Sequence, residues 1–505
     1  MAFTITSALR WWSKECPDQL ALSVDDCACS FAELDSWSAH VAVYLQTLGV
    51  KPGDRVCMVG SNSMEYAVLA FGLMRAGAIG APLSFRSTAT EIRDALSDLS
   101  PILVFCDEEC TKTVTTALGD MAIEKLRALG EISELKGGGP NSHSANEVSP
   151  DTPVFIIGTS GSTSRPKGVV YTHRMVMTYA SEFGIMEPRC ARGSSVLSAG
   201  PFSSTSGYLL LMQFIALGAT MYIESKFRAD RALALLVKRR ITTFQAAPIF
   251  FERITALPEF KEADLSSLYW TQVGGARVNT SLLKAWLDKG VVLRQAYGST
   301  EAGGGWGARL DTALTAPEKC GRGGIFTEYA VSTGDGAFAP VGTPGEILVR
   351  GPSLTPGYWN NTAATKETIR DGWLHTGDLG VMDEHGNLTF VDRLKDIIIS
   401  GGLNISAAEV ERVICELEGV EEVAVIATVD PDFGETPLAV IHADPERISP
   451  ASVIDYCNQH LANYKVPRYV AIESQPLPRL PSGKLAKPAI RAQYQDAADR
   501  LPKVR

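Results

Sequence analysis

A polar loop between two apolar runs constrains the fold of this chain more than any other stretch. Val154–Ile157 predicts a short buried strand, and Val169–Tyr171 predicts a second one. The segment 158–168 between them consists mainly of glycines and hydroxyl side chains, with Lys167 near its end. Glycines let backbone N–H groups approach an anion closely, and a lysine adds positive charge. The loop therefore suits a polyphosphate, although a polar surface hairpin explains the same composition, and it lacks the Walker A string.

Length, charge and cysteine usage limit the class of protein. A chain of 505 residues is expected to hold two or more domains with large cores. The net charge of −10 disfavours a general surface for nucleic acids or anionic membranes. The ten cysteines show no zinc-binding spacing, which predicts free thiols in a reducing compartment.

Targeting signals are not evident in the sequence. The N-terminus has no basic region followed by an apolar core, so no signal peptide is expected. The longest apolar run, 209–223, contains Gln213 and is too short to span a membrane. We therefore expect a cytoplasmic protein without an integral membrane segment.

Alternating strand and helix signals predict an α/β fold for the N-terminal part. Ser30 followed by Glu33 is typical of a helix N-terminus. Arg55–Val59 predicts a strand, Met64–Ala76 an apolar helix, and Gly77–Leu83 the next strand. This strand–helix–strand order favours mainly parallel strands.

Two further stretches place glycine and polar side chains just after short predicted strands. They are Val273–Ala276 and Gln295–Glu301. Open α/β sheets bind ligands at the carboxyl ends of parallel strands. In the second stretch Tyr297 offers a flat face for a base, Thr300 can donate to a phosphate, and Glu301 can hold Mg²⁺, which prefers oxygen ligands.

The loop at 157–168 resembles the phosphate loop of the acyl-adenylate-forming superfamily, and the wider pattern is similar to its acyl-CoA synthetase and aryl-CoA ligase branch. The resemblance runs from about residue 30 to 490, with the motifs in the same order. The further motifs are Tyr297–Glu301, Gly345–Pro352, Gly357–Asn360, Asp371–Leu379, Asp392–Asp396 and Leu480–Leu485. An ordered series of this kind is more specific than any single motif.

The resemblance implies a division into two domains. It predicts a large N-terminal α/β domain of several subdomains over 1–392 and a small α+β C-terminal domain over 397–505. A hinge at 393–396, centred on Lys395, joins them in the family. The C-terminal domain is expected to be mobile and to carry the catalytic lysine and part of the CoA tunnel.

The resemblance also assigns roles to individual residues. The catalytic residues are Lys484, Thr300 and Glu301, with Glu301 as the magnesium ligand. Asp378 and Arg393 are expected to bind the ribose, and Gly402 to line the CoA tunnel. The remaining nucleotide-binding residues are Thr159, Ser160, Gly161, Ser162, Thr163, Lys167, Gly274, Gly275, Ala276, Tyr297 and Gly298. By composition alone, Lys484 is a surface lysine and Asp378 a turn residue.

Three positions depart from the family pattern. Ser164 stands where these loops usually carry glycine, and serine is strained if that position needs positive φ. Ser204 takes the place of a histidine in the segment Pro201–Gly207, so no histidine role is carried over. Asp392 replaces a common glycine.

The acid-binding segment predicts an uncharged, hydrophobic, aromatic or bulky acid. No Asp or Glu occurs from Ser195 to Ile223, which disfavours an α-amino acid, because a buried ammonium group needs a partner. The alternative is that this segment is simply a core helix. Gly303–Gly305 either opens space for a bulky acid or forms a flexible loop. The expected pocket residues are Ser204, Tyr208, Phe250, Gly303 and Trp306.

Together these features predict an ATP-dependent carboxylic acid:CoA ligase that works through an acyl-adenylate. ATP, Mg²⁺ and CoA are the expected cofactors and co-substrates, and a small carboxylic acid is the expected partner, with a homodimer possible and no nucleic acid. Two alternatives stay open. One is an acyl-AMP ligase that loads a carrier protein, and the other is a catalytically inactive nucleotide-binding protein.

Overall fold

The computed structural model describes residues 2–119, 125–138, 148–159, 166–276, 278–334, 336–479 and 485–504. These residues form two compact units. The first unit runs up to Tyr329 and includes Val349–Leu374, and the second consists of Ala330–Leu348 and the chain from His375 onwards. The predicted domain boundary and hinge at 393–396 stay predictions. Most of the predicted phosphate loop (160–165) and Lys484 lie outside the described residues.

The described helices are α1 (Ile5–Glu15), α2 (Phe31–Thr47), α3 (Met64–Ala76), α4 (Ala89–Leu99), α5 (Glu108–Leu118), α6 (His173–Met186), α7 (Thr205–Ala216), α8 (Ala229–Lys238), α9 (Pro248–Thr255), α10 (Thr280–Leu287), α11 (Leu310–Thr315), α12 (Thr362–Thr368), α13 (Ala407–Cys415), α14 (Pro450–His460), α15 (Lys487–Gln493) and α16 (Ala497–Arg500).

The described strands are β1 (Leu20–Val24), β2 (Cys27–Ser30), β3 (Arg55–Val59), β4 (Ile79–Leu83), β5 (Leu103–Cys106), β6 (Leu126–Ala128), β7 (Pro153–Thr159), β8 (Lys167–Thr172), β9 (Ser195–Ser198), β10 (Thr220–Ile223), β11 (Thr243–Ala246), β12 (Trp270–Gly274), β13 (Leu293–Ser299), β14 (Gly304–Gly307), β15 (Glu328–Ser332), β16 (Gly345–Arg350), β17 (Ile369–Arg370), β18 (Trp373–Met382), β19 (Leu388–Arg393), β20 (Ile397–Ser400), β21 (Leu403–Ser406), β22 (Val420–Asp430), β23 (Gly434–Ala443) and β24 (Tyr469–Glu473).

A six-stranded sheet has the order β6-β5-β3-β4-β7-β8 and contains the predicted strand–helix–strand segment β3-α3-β4. Its strand pairs are parallel, except that β8 returns antiparallel to β7. The bounds of β3 and α3 agree with the prediction, because both are continuous apolar runs closed by turn residues. At the start of α2, Ser30 Oγ accepts from the Glu33 N–H and Glu33 accepts from the Ser30 N–H, which forms the predicted capping box.

An eight-stranded sheet with the order β14-β13-β12-β11-β9-β10-β1-β2 carries most of the site. Strands β10, β9, β11, β12 and β13 pair in parallel, and β14 closes the edge antiparallel to β13. One face of this sheet is apolar and packs on Phe251 of α9 and Trp286 of α10. Phe183 of α6 covers the opposite face, where its ring lies 5.4 Å from that of Trp270.

A third sheet has the order β15-β16-β18-β17, with β19 paired to β18. In the second unit, a five-stranded sheet has the order β21-β20-β23-β22, with β24 on β23. Val423 and Val425 of β22 pack on α13 and α14, whereas Ala424 and Ile426 face the other side, as alternation along a strand requires. The predicted combination of an α/β part and an α+β part is confirmed.

The longest apolar run of the sequence does not form one helix. It divides into α7 and β10, with Gly218 at a positive φ of 75° in the turn between them. Within the described part of the chain, no helix is both long and apolar enough to cross a membrane.

A buried histidine makes the stability of the first unit depend on pH. His173, at the start of α6, is fully buried, and its Nδ1 accepts from the Ile5 N–H at 3.3 Å. Its Nε2 has no hydrogen-bond partner in the described ranges. Burial lowers the pKa of His173 to about 4. The unfolded chain therefore takes up a proton below its ordinary pKa of roughly 6.5, whereas the folded chain does not until about pH 4.

We expect stability to fall as the pH drops from about 6.5 to about 4, by up to about 3 kcal/mol from this group. His173→Phe should lose this part of the pH dependence, because its side chain cannot be protonated. The measurement is the thermal midpoint across pH 4–7, with exposed His385→Gln as the control. Equal pH dependence in all three proteins would contradict the assignment.

Candidate functional site

The ends of the predicted phosphate loop meet in a β-hairpin. Thr159 on β7 pairs with Lys167 on β8, and Thr159 Oγ1 donates to the Lys167 carbonyl at 3.2 Å. The paired strand ends agree with the hairpin interpretation, and the phosphate-binding role of the loop stays a prediction. Of its predicted ligands, Ser160, Gly161, Ser162 and Thr163 lie outside the described residues, as does Ser164.

Lys167 and Glu301 are brought together through Tyr358. The Lys167 ammonium lies 5.1 Å from the centre of the Tyr358 ring, and the Tyr358 hydroxyl donates to Glu301 Oε1 at 2.9 Å. Burial, followed by the nearby Glu301 carboxylate, raises the pKa of Tyr358, so this hydroxyl remains a donor at neutral pH. Backbone bonds from Trp359 to Gly168 (2.7 Å) fix this segment beside β8. A cation and a carboxylate thus flank one position at the end of the hairpin.

Thr300 and Glu301 are held by three other segments. Thr300 Oγ1 lies 3.0 Å from Thr205 Oγ1 at the start of α7, and its carbonyl accepts from the Tyr171 hydroxyl at 2.6 Å. The Glu301 carbonyl accepts from the Thr355 N–H at 2.9 Å. Both side chains remain partly exposed, so they can reach a ligand while their backbone is fixed.

Tyr297 lies near the end of β13 and is largely covered. Its side chain is 6% exposed, its ring packs edge-on against Tyr329 at 5.8 Å, and its carbonyl accepts from the Tyr329 hydroxyl at 2.7 Å. Only a small part of the ring is therefore open to a base. Gly298 beside it is exposed.

The glycine run at 303–305 has a packing role. Gly304 and Gly305 lie in β14, where Gly305 pairs with Gly298 of β13. A Cβ on Gly303 would overlap the Ser353 carbonyl, and one on Gly304 would overlap the Tyr179 ring. The flexible-loop alternative is therefore wrong, because these glycines form a strand and admit Tyr179, whose hydroxyl donates to the Gly305 carbonyl at 2.9 Å.

The end of β12 also requires glycine, in the segment Gly274–Ala276. A Cβ on Gly274 would lie 2.7 Å from the Ala296 carbonyl, and Gly275 has a φ of 78°. Gly275 and Ala276 are exposed at the edge where the parallel strands end. Their backbone groups are thus available to a ligand at the predicted place.

The predicted acid-pocket residues are placed differently from one another. Ser204 precedes α7 and its hydroxyl donates to the Pro201 carbonyl at 2.8 Å. Tyr208 is fully buried against Phe155, at 4.9 Å between ring centres. Phe250 on α9 is partly buried, and Trp306 on β14 is 4% exposed. From Gly207 onwards α7 is a buried helix, so the segment is a core helix whose first turn alone reaches the strand ends.

Sequence reasoning missed Glu182. Its carboxylate is fully buried and accepts from the N–H groups of Phe326 and Thr327 and from the Thr327 hydroxyl. Burial raises the pKa of Glu182, and these hydrogen bonds oppose the shift. Glu182 thereby fixes the segment that leads to Tyr329 and so to Tyr297. The available signal was an acidic residue in the otherwise apolar second half of α6.

In the second unit, the two predicted ribose ligands are neighbours. Asp378 on β18 pairs with Arg393 on β19, and their side chains lie 3.5 Å apart. Asp392, the departure from the family pattern, accepts from Ser406 Oγ at 2.7 Å and from the Ala408 N–H at 2.8 Å. It is buried and stabilises the start of α13, which gives this aspartate a structural role.

Lys395 and Gly402 lie in two turns that follow β19. Lys395 is in the short turn before β20, where desolvation, followed by the Arg393 charge, lowers its pKa. Gly401 and Gly402 form the turn between β20 and β21, at φ values of 56° and 80°. The Gly401 N–H donates to the Phe433 carbonyl at 2.8 Å, which anchors this turn.

Comparison with known proteins adds independent evidence. A family model described as AMP-binding enzyme matches residues 9–359, and one described as AMP-binding enzyme C-terminal domain matches residues 409–484. A feruloyl-CoA synthase from Amycolatopsis sp. is 35% identical over 489 residues, covering 95% of this chain and 96% of the relative. The long-chain-fatty-acid–CoA ligase FadD13 of Mycobacterium tuberculosis is 33% identical over 93% of this chain and 94% of its own.

Solved structures agree over nearly the whole chain. ATP-bound MatB from Rhodopseudomonas palustris superposes with a TM-score of 0.90 at 28% identity, covering 98% of this chain and 100% of that one. The o-succinylbenzoate CoA synthetase MenE from Bacillus subtilis, in complex with its acyl-adenylate, gives a TM-score of 0.86 at 25% identity, covering 96% and 97%.

The close contact at Gly304 yields a test of the site's packing. Gly304→Ala places a methyl group in the Tyr179 ring, which must move away from Gly305 and Trp306. We expect a loss of about 1–3 kcal/mol in stability, measured as a lower thermal midpoint. Gly130→Ala is the control, because no atom lies within 4 Å of the added carbon. If the two variants unfold alike, the described packing of β14 is wrong.

Proposed function

The chain belongs to the AMP-binding enzyme family, and we propose that it activates an uncharged hydrophobic or aromatic carboxylic acid for transfer to CoA. It is an AMP-forming acid–thiol ligase that uses ATP, Mg²⁺ and CoA. The observation that supports the site is the Lys167–Tyr358–Glu301 arrangement beside the β7–β8 hairpin. It offers a cation for the phosphates and a carboxylate for a metal ion within one small region.

The chemistry explains why such a site is needed. A carboxylate is a poor electrophile, and its oxygen is a poor leaving group. In the first step the carboxylate attacks the α-phosphorus of ATP, a new oxygen–phosphorus bond forms, and pyrophosphate leaves. In the second step the CoA thiol attacks the acyl carbon and AMP leaves. Catalysis of the first step is mainly positioning and electrostatic stabilisation.

The residues present fit a magnesium ion held with the triphosphate. Among the described residues, no group of three or more histidine, cysteine or acidic side chains forms a complete metal cage. Glu301 offers a partly exposed carboxylate at the right place, and Mg²⁺ in phosphate-transfer sites is usually held by one or two carboxylates with substrate oxygens and water. When bound there, the ion neutralises the charge that develops on the phosphates.

We assign the remaining residues to the binding of the phosphates, the ribose and the reacting carboxylate. Lys167 attracts the β- and γ-phosphates, with the loop at 159–163 supplying N–H and hydroxyl donors. Thr300, fixed through its carbonyl by Tyr171, donates to the α-phosphate region. Asp378, whose carboxylate offers two acceptor oxygens, and its neighbour Arg393 hold the ribose hydroxyls. Lys484 stabilises the charge between acid and α-phosphate.

The chemical class of the acid substrate is inferred from the residues that are expected to line its pocket. The segment from Ser195 to Ile223 carries no carboxylate, and the carboxylate of Glu224, which follows, lies 2.9 Å from Arg231. An ammonium group on the substrate would thus find no partner there.

The names of the relatives, feruloyl-CoA synthase and long-chain-fatty-acid–CoA ligase, support an aromatic or aliphatic acid. A cytoplasmic location fits the ten free cysteines.

The first experiment measures pyrophosphate release with Mg·ATP over a panel of aliphatic, aromatic and polycyclic carboxylic acids, each with and without CoA. We expect acid-dependent release that becomes multiple-turnover with CoA, with acyl-CoA and AMP as products. A single burst that CoA does not change would replace CoA with a carrier-protein thiol. ATP binding without release for any acid would contradict the proposed function.

The second experiment tests Lys395 as the hinge. Proline fixes φ and restricts the preceding residue, so Lys395→Pro should hinder a rotation at this turn. The predicted domains on either side of the turn should stay folded. We expect adenylation, measured as single-turnover pyrophosphate release, to persist and acyl-CoA formation to fall by at least tenfold. Lys395→Ala is the control, since it removes the charge but not the backbone freedom. Equal loss of both half-reactions in the proline variant would overturn the assignment.

A further inference from the structure

A row of polar side chains crosses the eight-stranded sheet beneath the proposed acid pocket. Ser198 on β9 is in register with Gln245 on β11, Gln245 with Gln272 on β12, and Gln272 with Arg294 on β13. Adjacent residues in register on parallel strands point to the same face of a sheet. These four side chains therefore form one row across the sheet, which reaches the carboxyl ends of β9 and β11 at Ser198 and Gln245.

The row lies on the face opposite the apolar core. Phe244 and Leu197, which alternate with the row along β11 and β9, belong to the cluster under α8, α9 and α10. On the row's own face, Thr243 donates to Cys190 Sγ at 3.6 Å, and Trp270 packs against Phe183 of α6. Polar side chains are thus concentrated on one buried face of the sheet.

Gln272 and Arg294 each contact another group of the protein, although Arg294 Nε has no hydrogen-bond partner among the described residues. Gln272 Nε2 donates to the Gly305 carbonyl at 3.3 Å. The Arg294 guanidinium pairs with Glu187 at 3.3 Å and stacks 4.0 Å above the Trp270 ring. Within the described part of the chain, Ser198 Oγ and Gln245 Nε2 also have no hydrogen-bond partner, although the residues are only 1% and 5% exposed. Burying such groups without a partner is costly, so a partner is expected when the site is in use.

The position of this unsatisfied pair relates it to the acid. Gly200, two residues beyond Ser198 on the same strand path, lies against the first turn of α7, because a Cβ on it would approach Ser206 Oγ to 2.7 Å. Next to Gln245 in the row, Gln272 contacts β14. Ser204, which directly precedes α7, and Trp306 on β14 are among the residues predicted above for the acid pocket. Ser198 and Gln245 lie in the sheet between them.

We propose that Ser198 and Gln245 form a polar subsite that binds an oxygen atom on the acid, such as a hydroxyl, carbonyl or ether oxygen remote from the carboxylate. This inference rests on the proposed function, and it narrows the substrate class from a hydrophobic acid to an oxygen-bearing one. The Ser198 hydroxyl and the Gln245 amide can each donate or accept, so they suit a neutral oxygen of either kind. The charged member of the row, Arg294, pairs with Glu187 through Nη1 at 3.3 Å and is not part of the proposed pair.

The test compares pairs of acids that differ by one oxygen: cinnamic with 4-hydroxycinnamic acid, 3-phenylpropanoic with 3-(4-hydroxyphenyl)propanoic acid, and octanoic with 8-hydroxyoctanoic acid. The readout is kcat/KM for pyrophosphate release by the full chain with Mg·ATP and CoA. In at least one pair we expect a preference of about tenfold or more for the oxygen-bearing acid, because two buried groups would be left unpaired with its analogue.

Gln245→Met keeps the side-chain volume and removes the amide, and Ser198→Ala removes the hydroxyl. Each should reduce the preference several-fold, chiefly through KM of the oxygen-bearing acid. Thr243→Val is the matched control, because it removes a buried hydroxyl from the same strand and face but away from the pocket, and it should keep the wild-type preference. If Gln245→Met does not fold, Ser198→Ala decides the matter alone.

Three results would overturn the subsite. The first is release without preference in any pair, and the second is a preference that neither variant changes, as expected if water alone satisfies the two groups. In both cases the proposed ligase function still stands. The third is no pyrophosphate release with any acid, which overturns the proposed function and the subsite together.

Discussion

Parallel pairing of β9, β11, β12 and β13 is the constraint on which the rest of the first unit depends. Strands that run in parallel end at the same edge, so the segments that follow them meet there despite their distance in sequence. This edge receives Gly275 from β12 and Thr300 and Glu301 from β13. Strand β14 then pairs antiparallel with β13, and it can approach because a Cβ on Gly298 would overlap the Gly304 carbonyl.

The same register gives the sheet two unlike faces. Residues such as Phe244 and Val273 point towards α9 and α10 and form a sealed apolar core. Their neighbours along the strands, Gln245 and Gln272, point to the opposite face, which α6 covers. Burial of the apolar face supplies the stability of the unit. The other face is only partly apolar, through contacts such as Phe183 with Trp270, and it holds the buried polar side chains.

Local patterns were enough to predict the elements whose signals lie within a short window. The apolar runs of β3 and α3 and the capping box of Ser30 with Glu33 are of this kind. Motif order was enough to identify the superfamily. Strand β14 was missed because its glycines have low strand propensity. The glycine at position 304 is required by the fold, because a Cβ there would overlap the Tyr179 ring.

Residues that act across long sequence separations could not be found in this way. Glu182 binds the backbone of Phe326, 144 residues further on, and nothing near either residue indicates the partner. Tyr358 was visible within a motif, but its contact with Glu301 arises only when two distant segments fold together. For buried polar side chains whose partners lie far away in sequence, only the fold shows which groups they contact. Gln245 belongs to this class, with the difference that its amide nitrogen has no partner among the described residues, so we look for its partner on the substrate.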